Sequence, residues 1–200
     1  MKMILRALIL VSLSFLSCSE DSTTSNTSSL KIGDEYQGGK IAYIFQPGDL
    51  GYVEGEVHGL ITVVDSQILQ ATWGCYGANE NYSTSIKGAK GWGVGEGKNN
   101  TSAIIQNCSE KAIAAKICND LELNGYADWY LPSIGELIIL YENRDSVGIG
   151  TNSYQTYWSS TESTPAQAWI FNFNGNGSPH GTGTWTHKFR TQWVRPMRTF

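Results

Sequence analysis

Residues able to do chemistry fall into four groups. "GWGVGEGK" (91–98) has the glycine density of a phosphate-binding loop. Such a loop needs a glycine five positions before its glycine-lysine pair and a hydroxyl just after it. Trp92 and Asn99 hold those places, and neither a preceding strand nor a helix starting at Lys98 is evident, so a turn-rich loop is the better reading. "YWSSTE" (157–162) offers Ser159 and Ser160 as nucleophiles, with His58, His180 and His187 as bases. The serines sit in a strand-like run without the G-x-S-x-G elbow that exposes an attacking hydroxyl. No spacing brings a histidine to either, so the chain is not expected to be an enzyme.

Oxygen-rich side chains point to a hard cation. Asn172, Asn174 and Asn176 with Glu162 could surround calcium. Asn-Gly repeats are also what hairpin turns require, and the turn reading is preferred; no metal or cofactor is expected. Glu136 could serve as a general acid, but Ser133 three residues earlier makes the two a capping box. Asp128 could bind a metal or accept backbone N–H groups in the turn before Trp129. The fourth group is basic. No acidic residue follows Glu162, whereas Lys188, Arg190, Arg195 and Arg198 do. Charge-assisted hydrogen bonds from this segment could hold a sulfated or carboxylated glycan. The alternation through 193–198 also allows Arg195 or Arg198 to turn inward and pair with Asp128 or Glu162, and the residues alone favour one arginine in each role.

The chain that must position these groups opens with Lys2 and Arg6 before an apolar block, residues 7–17. That block is too short for a bilayer span, which takes about 20 residues, and reads as a signal peptide over 1–17. Cys18 then becomes a lipid-carrying first residue. Residues 18–30, rich in Ser, Thr and Asn, form a flexible tether, leaving one domain over 31–200. The expected location is a bacterial cell envelope, lipid-anchored to the outer membrane and either periplasmic or surface-exposed. Fourteen basic and eighteen acidic residues give a net charge of −4, and loss of Lys2 and Arg6 makes it −6. That surface is a poor binder of nucleic acid. Cys75, Cys108 and Cys118 remain in the domain, and an oxidising compartment favours one disulfide among three pairings. A helix separates Cys108 from Cys118, so Cys75–Cys108 is the pair expected. No zinc-site spacing is present.

Residues 38–49 and 58–65 read as an antiparallel strand pair. Residues 70–100 read as a long ordered loop in which Trp73, Tyr76 and Trp92 must pack. Residues 109–125 read as a helix capped by Ser109, with Ile113, Ile117 and Leu121 on one face. A second helix follows Pro132, with Ile134, Leu137, Ile138 and Tyr141 as its buried stripe. Strands return from Tyr157 onward. Helices in the middle and strands at both ends predict an α+β fold with the terminal strands side by side.

The segments "CNDLELNGYADWYLPSIGELIILYEN", "YWSSTES", "AWIFNFNGNG" and "WVRPMRTF", preceded in order by "IGDEYQGGKIAYIF", "HGLITVV", "WGCYG" and "NTSAIIQNCS", resemble the C-terminal domain family of the Legionella collagen-like adhesin (Lcl). The resemblance covers nearly all of 31–200. It implies a C-type lectin-like fold, distantly related to the formylglycine-generating enzymes, with two helices against antiparallel sheets joined at the chain ends. It also implies surface adhesion, since the Legionella protein binds sulfated glycosaminoglycans. No collagen-like repeat occurs in this sequence, so a trimeric stalk is not implied. Some relatives carry a cysteine in the last arginine motif that pairs with the first-helix cysteine. Pro196 and Met197 occupy that segment here, leaving Cys118 a buried free thiol. The copper-binding cysteine pair of the formylglycine-generating enzymes is not evident, which argues against catalysis.

The combined expectation is a membrane-anchored lipoprotein whose lectin-like domain recognises a glycan or surface protein through Trp92, Asn174, Asn176, His180, Lys188 and Arg190. A structural role in an envelope assembly is the alternative, and an enzyme related to the formylglycine-generating proteins is a third, less favoured reading. Trp129, Leu131 and Trp158 should enter the core, Pro132 should stop extended structure, and Ser133 with Glu136 should cap the second helix. Asp128, Arg195 and Arg198 are counted with the framework.

Overall fold

The structure is a computed structural model that describes residues 29–63, 69–76, 83–149, 155–173 and 182–200. Cys18, most of the tether, Asn174, Asn176 and His180 lie outside the described residues. "GLIT" offers no polar face, and accordingly it becomes an inner strand buried along its whole length. This is β3 (Gly59–Thr62), which lies between β2 (Gly39–Ile44) and β9 (Met197–Thr199), with β1 (Glu35–Tyr36) on the outer side of β2. All three pairings are antiparallel, and Ile61 faces Arg198 across the last. The terminal strands therefore share one sheet.

The second sheet has the order β4-β8-β5-β6-β7. Its strands are β4 (Leu69–Thr72), β5 (Thr156–Thr164), β6 (Gln167–Asn172), β7 (Thr182–His187) and β8 (Thr191–Val194). Side chains alternate between its faces. Tyr157 and Phe171 join the core under α3 (Ile134–Glu142), with Leu137, Leu140 and Tyr141. Trp158, Ile170 and Val194 face the other way, toward Ile104 of α1 (Gly97–Asn107) and Ala115 and Cys118 of α2 (Ala114–Asn119). A short α4 (Arg144–Val147) follows α3. Among the described residues no helix is long and apolar enough to cross a membrane.

The second expected helix forms as α3. Ser133 Oγ accepts from the Glu136 N–H at 3.1 Å, and the Glu136 carboxylate accepts from the Ser133 N–H at 2.8 Å. Ile134, Leu137 and Tyr141 are buried and Ile138 half-buried. Trp129, Leu131, Pro132 and Trp158 are buried too. The first expected helix is shorter than its pattern: α2 begins after Ile113, not at Ser109, because Ile113 bridges to Thr72 of β4. Residues 97–107 are helical as α1, although 97–100 were read as the end of the long loop, so a helix does begin beside Lys98. Its polar sequence has no side-chain cap and no acidic first turn. It is held instead by burial of Asn100, Thr101 and Ile104 and by reciprocal hydrogen bonds between Thr101 Oγ1 and the backbone of Leu131.

Among the described residues two carboxylates, Glu136 and Glu162, are wholly inside. Glu136 also accepts from the Gly95 N–H at 2.9 Å and from Tyr130 Oη at 3.3 Å. Burial pushes its pKa up from 4.5 to about 7, although the backbone donors pull the other way. Glu162 accepts from the Ile86 N–H at 2.8 Å, from Ser85 Oγ, and from Lys188 Nζ at 2.6 Å.

Both arginines of the last motif turn inward, correcting the division of roles expected for them. Arg195 is fully buried and donates to the Val63 carbonyl at 3.0 Å and to Tyr157 Oη at 2.8 Å. Arg198 grips Asp128 with two bonds of 2.7 and 3.0 Å and lies 4.2 Å from the Tyr126 ring centroid. Burial works against the Asp128 carboxylate, but the Arg198 hydrogen bonds and charge outweigh it and hold the pKa below its usual value. Cys75 and Cys108 are bonded, with Cα atoms 5.4 Å apart. Cys118 is a buried free thiol whose pKa burial pushes well up.

Two stability predictions follow from these networks. Glu136 is a weaker acid folded than unfolded, so its contribution is complete below about pH 4.5 and fades as pH rises through about 7. Urea unfolding of wild type and Glu136→Gln should show a gap of about 1–3 kcal/mol near pH 5 that narrows by about pH 8. An unchanged or widening gap contradicts this. Arg198→Ala should cost about 1–3 kcal/mol by thermal melting, and Arg198→Lys should recover only part, because an ammonium cannot reproduce the two-pronged geometry.

Candidate functional site

Six of the seven tryptophans fall into two groups, and the seventh, Trp193, is half-buried against the core under α3. Trp73, Trp129 and Trp158 are buried and donate their indole N–H to the carbonyls of Ser159, Tyr126 and Ala71 at 2.9, 3.1 and 3.0 Å. Trp92 and Trp185 are 47 and 49 % exposed. Trp169, half-buried, completes a group with them. It stands directly opposite Trp185 across β6 and β7, and directly opposed residues share a face. Trp92 meets Trp169 edge to face, with centroids 4.8 Å apart and planes at 81°. None of these three indoles donates a hydrogen bond within the described residues.

The N-terminus of α3 fixes this platform. The Gly135 N–H donates to the Trp92 carbonyl at 2.9 Å, and Ser133 Oγ donates to the Gly93 carbonyl at 2.7 Å. A Cβ on Gly135 would stand 2.6 Å from the Trp92 oxygen, so this approach needs glycine. The hairpin beneath is neutral: β6 and β7 contain no Asp, Glu, Lys or Arg. Flat, uncharged aromatic faces backed by rigid backbone suit an apolar ligand surface with hydroxyls at its rim.

A second exposed cluster lies past the end of β7. His187 stacks on Phe189 at 5.3 Å, Tyr76 meets Phe189 at 6.0 Å, and the exposed Arg190 guanidinium lies 5.3 Å from the Phe189 centroid. A cavity of about 310 Å³ lies beside the disulfide, lined by Tyr76, Ser85 and Glu110 among others. Another, of about 420 Å³, is lined by residues 35–40 and Asn124. Among the described residues no three His, Cys, Asp or Glu side chains gather as metal ligands.

Of the expected contact residues, Trp92 and Arg190 are exposed, in the two different clusters. Lys188 is not a contact residue: it is fully buried, paired with Glu162 and 4.3 Å from the Trp73 ring centroid. It follows His187 directly, so the two-residue period of the strand turns it inward. Glu162 is thereby engaged by Lys188, Ser85 and Ile86. Ser159 and Ser160 are buried. Ser159 Oγ donates to the Trp169 carbonyl and Ser160 Oγ accepts from Asn100, neither facing a histidine among the bonds of the described residues. Trp169 and Trp185 went unread as a pair, because their pairing depends on the register of a hairpin whose loop length the pattern does not specify.

The Lcl C-terminal domain family description matches residues 69–198. No curated protein sequence matches significantly. Among solved structures, a fimbrial protein from Bacteroides ovatus ATCC 8483 is similar, with a TM-score of 0.47 and 18 % identity over 70 % of this chain and 35 % of that one. The chain thus spans about a third of that protein's length. With the family match running over 130 of its 200 residues, the chain belongs to the Lcl C-terminal domain family.

Proposed function

We propose that this protein is a non-catalytic binding module of the bacterial cell envelope, held to the outer membrane through lipid on Cys18, whose tryptophan platform lies against the sugar rings of a cell-surface glycan. The carrying observation is the group Trp92, Trp169 and Trp185, two of them about half exposed, with Trp169 and Trp185 on an uncharged hairpin and Trp92 on the loop packed against it. Indole faces pack against the C–H face of a pyranose, while the indole N–H groups at the margin can meet its hydroxyls. Membership of the family and adjacency of the terminal strands support a C-type lectin-like reading of the fold.

The ligand best suited is neutral. Of the four basic residues of the last segment, Lys188, Arg195 and Arg198 are buried. Arg190 alone is exposed, and it belongs to the other cluster. A sulfated chain would need several such cations; the hairpin supplies none, and Lys90 is the exposed cation nearest Trp92 in sequence.

A panel of neutral and sulfated oligosaccharides tests this. Neutral chains should bind with little dependence on salt. Trp92→Ala and Trp185→Ala should each weaken binding by about tenfold with unchanged melting temperature, since both side chains are half exposed. Binding restricted to sulfated chains, lost in Arg190→Ala and kept in the tryptophan variants, would overturn the proposal.

A further inference from the structure

Strand β7 ends the five-stranded sheet, and no described strand pairs with its outer side. Which of its backbone groups face outward follows from one bond. The Lys188 N–H donates to the Ala166 carbonyl at 2.9 Å, and these residues continue the β6–β7 register. In an antiparallel ladder hydrogen-bonded pairs alternate with non-bonded ones. The bonded pairs are therefore Thr186 with Ala168 and Thr184 with Ile170. Gly183 and Trp185 point their N–H and C=O groups away from β6, and neither bonds to any other described residue.

Edges of this kind are commonly protected by charge, proline or shortness. β1 has two residues, one of them Glu35, and β4 ends in a bridge to Ile113. β7 has six residues, "TGTWTH", with no proline and no acid, lysine or arginine. Its exposed Trp185 stands two positions from Gly183 on the same face.

We infer that β7 is a pairing edge for a second copy of this chain, joined antiparallel about a two-fold axis through Thr184. That register places Gly183 opposite Trp185 of the other copy in two equivalent bonded pairs. All four outward groups of each strand's Gly183 and Trp185 are then satisfied. Each indole lies over a glycine that has no side chain to obstruct it, the arrangement by which aromatic residues compensate glycine in a strand. The lack of charge removes like-charge repulsion, which any self-pairing must otherwise overcome. The pairing is isologous, so it closes at two copies. It would extend the tryptophan rows of both copies into one surface, but it depends only on the edge and not on a glycan.

Cysteine crosslinking in membranes of cells making the full chain tests this inference. At a non-bonded pair on the axis the two Cα atoms stand about 4.5 Å apart, within disulfide reach. Thr184→Cys should give a reducible dimer on a non-reducing gel. Thr186→Cys, four residues out of register with its own copy, should stay monomeric. Adding Trp185→Pro to Thr184→Cys removes an outward N–H while sparing the β6 ladder, and the dimer band should be lost. No dimer from Thr184→Cys, equal dimer from both positions, or a dimer that survives Trp185→Pro would each overturn the inference. Glycan binding is read separately, so loss of one leaves the other standing.

Discussion

Residues 83–97 carry backbone N–H groups into the interior with almost no helix or strand to satisfy them, and two buried carboxylates meet that demand. Glu162 takes the Ser85 hydroxyl and the Ile86 N–H; Glu136 takes the Gly95 N–H. The Gly91 N–H goes to Asn100 Oδ1, and its carbonyl to Thr161 Oγ1 and Asn100 Nδ2. A buried donor left unmade costs more than a typical hydrogen bond contributes, so the loop is ordered only while these acceptors are in place. The two acids balance their charge differently. Glu162 has Lys188 at 2.6 Å. Glu136 has no ion pair among the described residues and sits among neutral donors, and burial raises its pKa to about 7.

This loop matters because it carries Trp92. The indole's place beside Trp169 is set by the Gly135 N–H and Ser133 hydroxyl at the start of α3, the same turn that Glu136 completes. Capping box, loop and platform are thus one unit. Ser133 caps the helix with the oxygen that also donates to the Gly93 carbonyl. The cost of fixing Trp92 is met within the fold, so the indole is already ordered without a ligand.

What was legible in the sequence was local. The capping box and apolar stripe of α3 lie within ten residues, and the helix forms as read. The strand pair β2–β3 and the adjacency of the terminal strands were likewise evident from pattern and order. What was not legible depends on distant partners. α1 lacks start signals, and its buried Asn100 answers to Gly91 and Ser160. α2 loses its first turn to a bridge with β4. Lys188 looked solvent-facing, and the alternation through 193–198 left the directions of Arg195 and Arg198 open, because composition records charge but not direction. Their partners lie 26 to 132 residues away.

The hairpin β6–β7 shows how little separates the buried from the presented side. Along both strands odd-numbered residues share one face: Gln167, Trp169 and Phe171 stand opposite His187, Trp185 and Gly183. Phe171 reaches the core under α3, while Trp169 and Trp185, farther along, reach the margin of that cover. Even-numbered Ala168 and Ile170 enter the core shared with α1 and α2, and Lys188 reaches Glu162 on that side. A register slip of one residue would exchange these sets, sending an indole toward Glu162 and an ammonium toward the platform. The Lys188–Glu162 pair therefore does more than offset two buried charges. It makes the wrong register costly, since Glu162 would lose its cation while remaining desolvated. The interaction that removes a cation from the surface is the one that keeps the tryptophans on it.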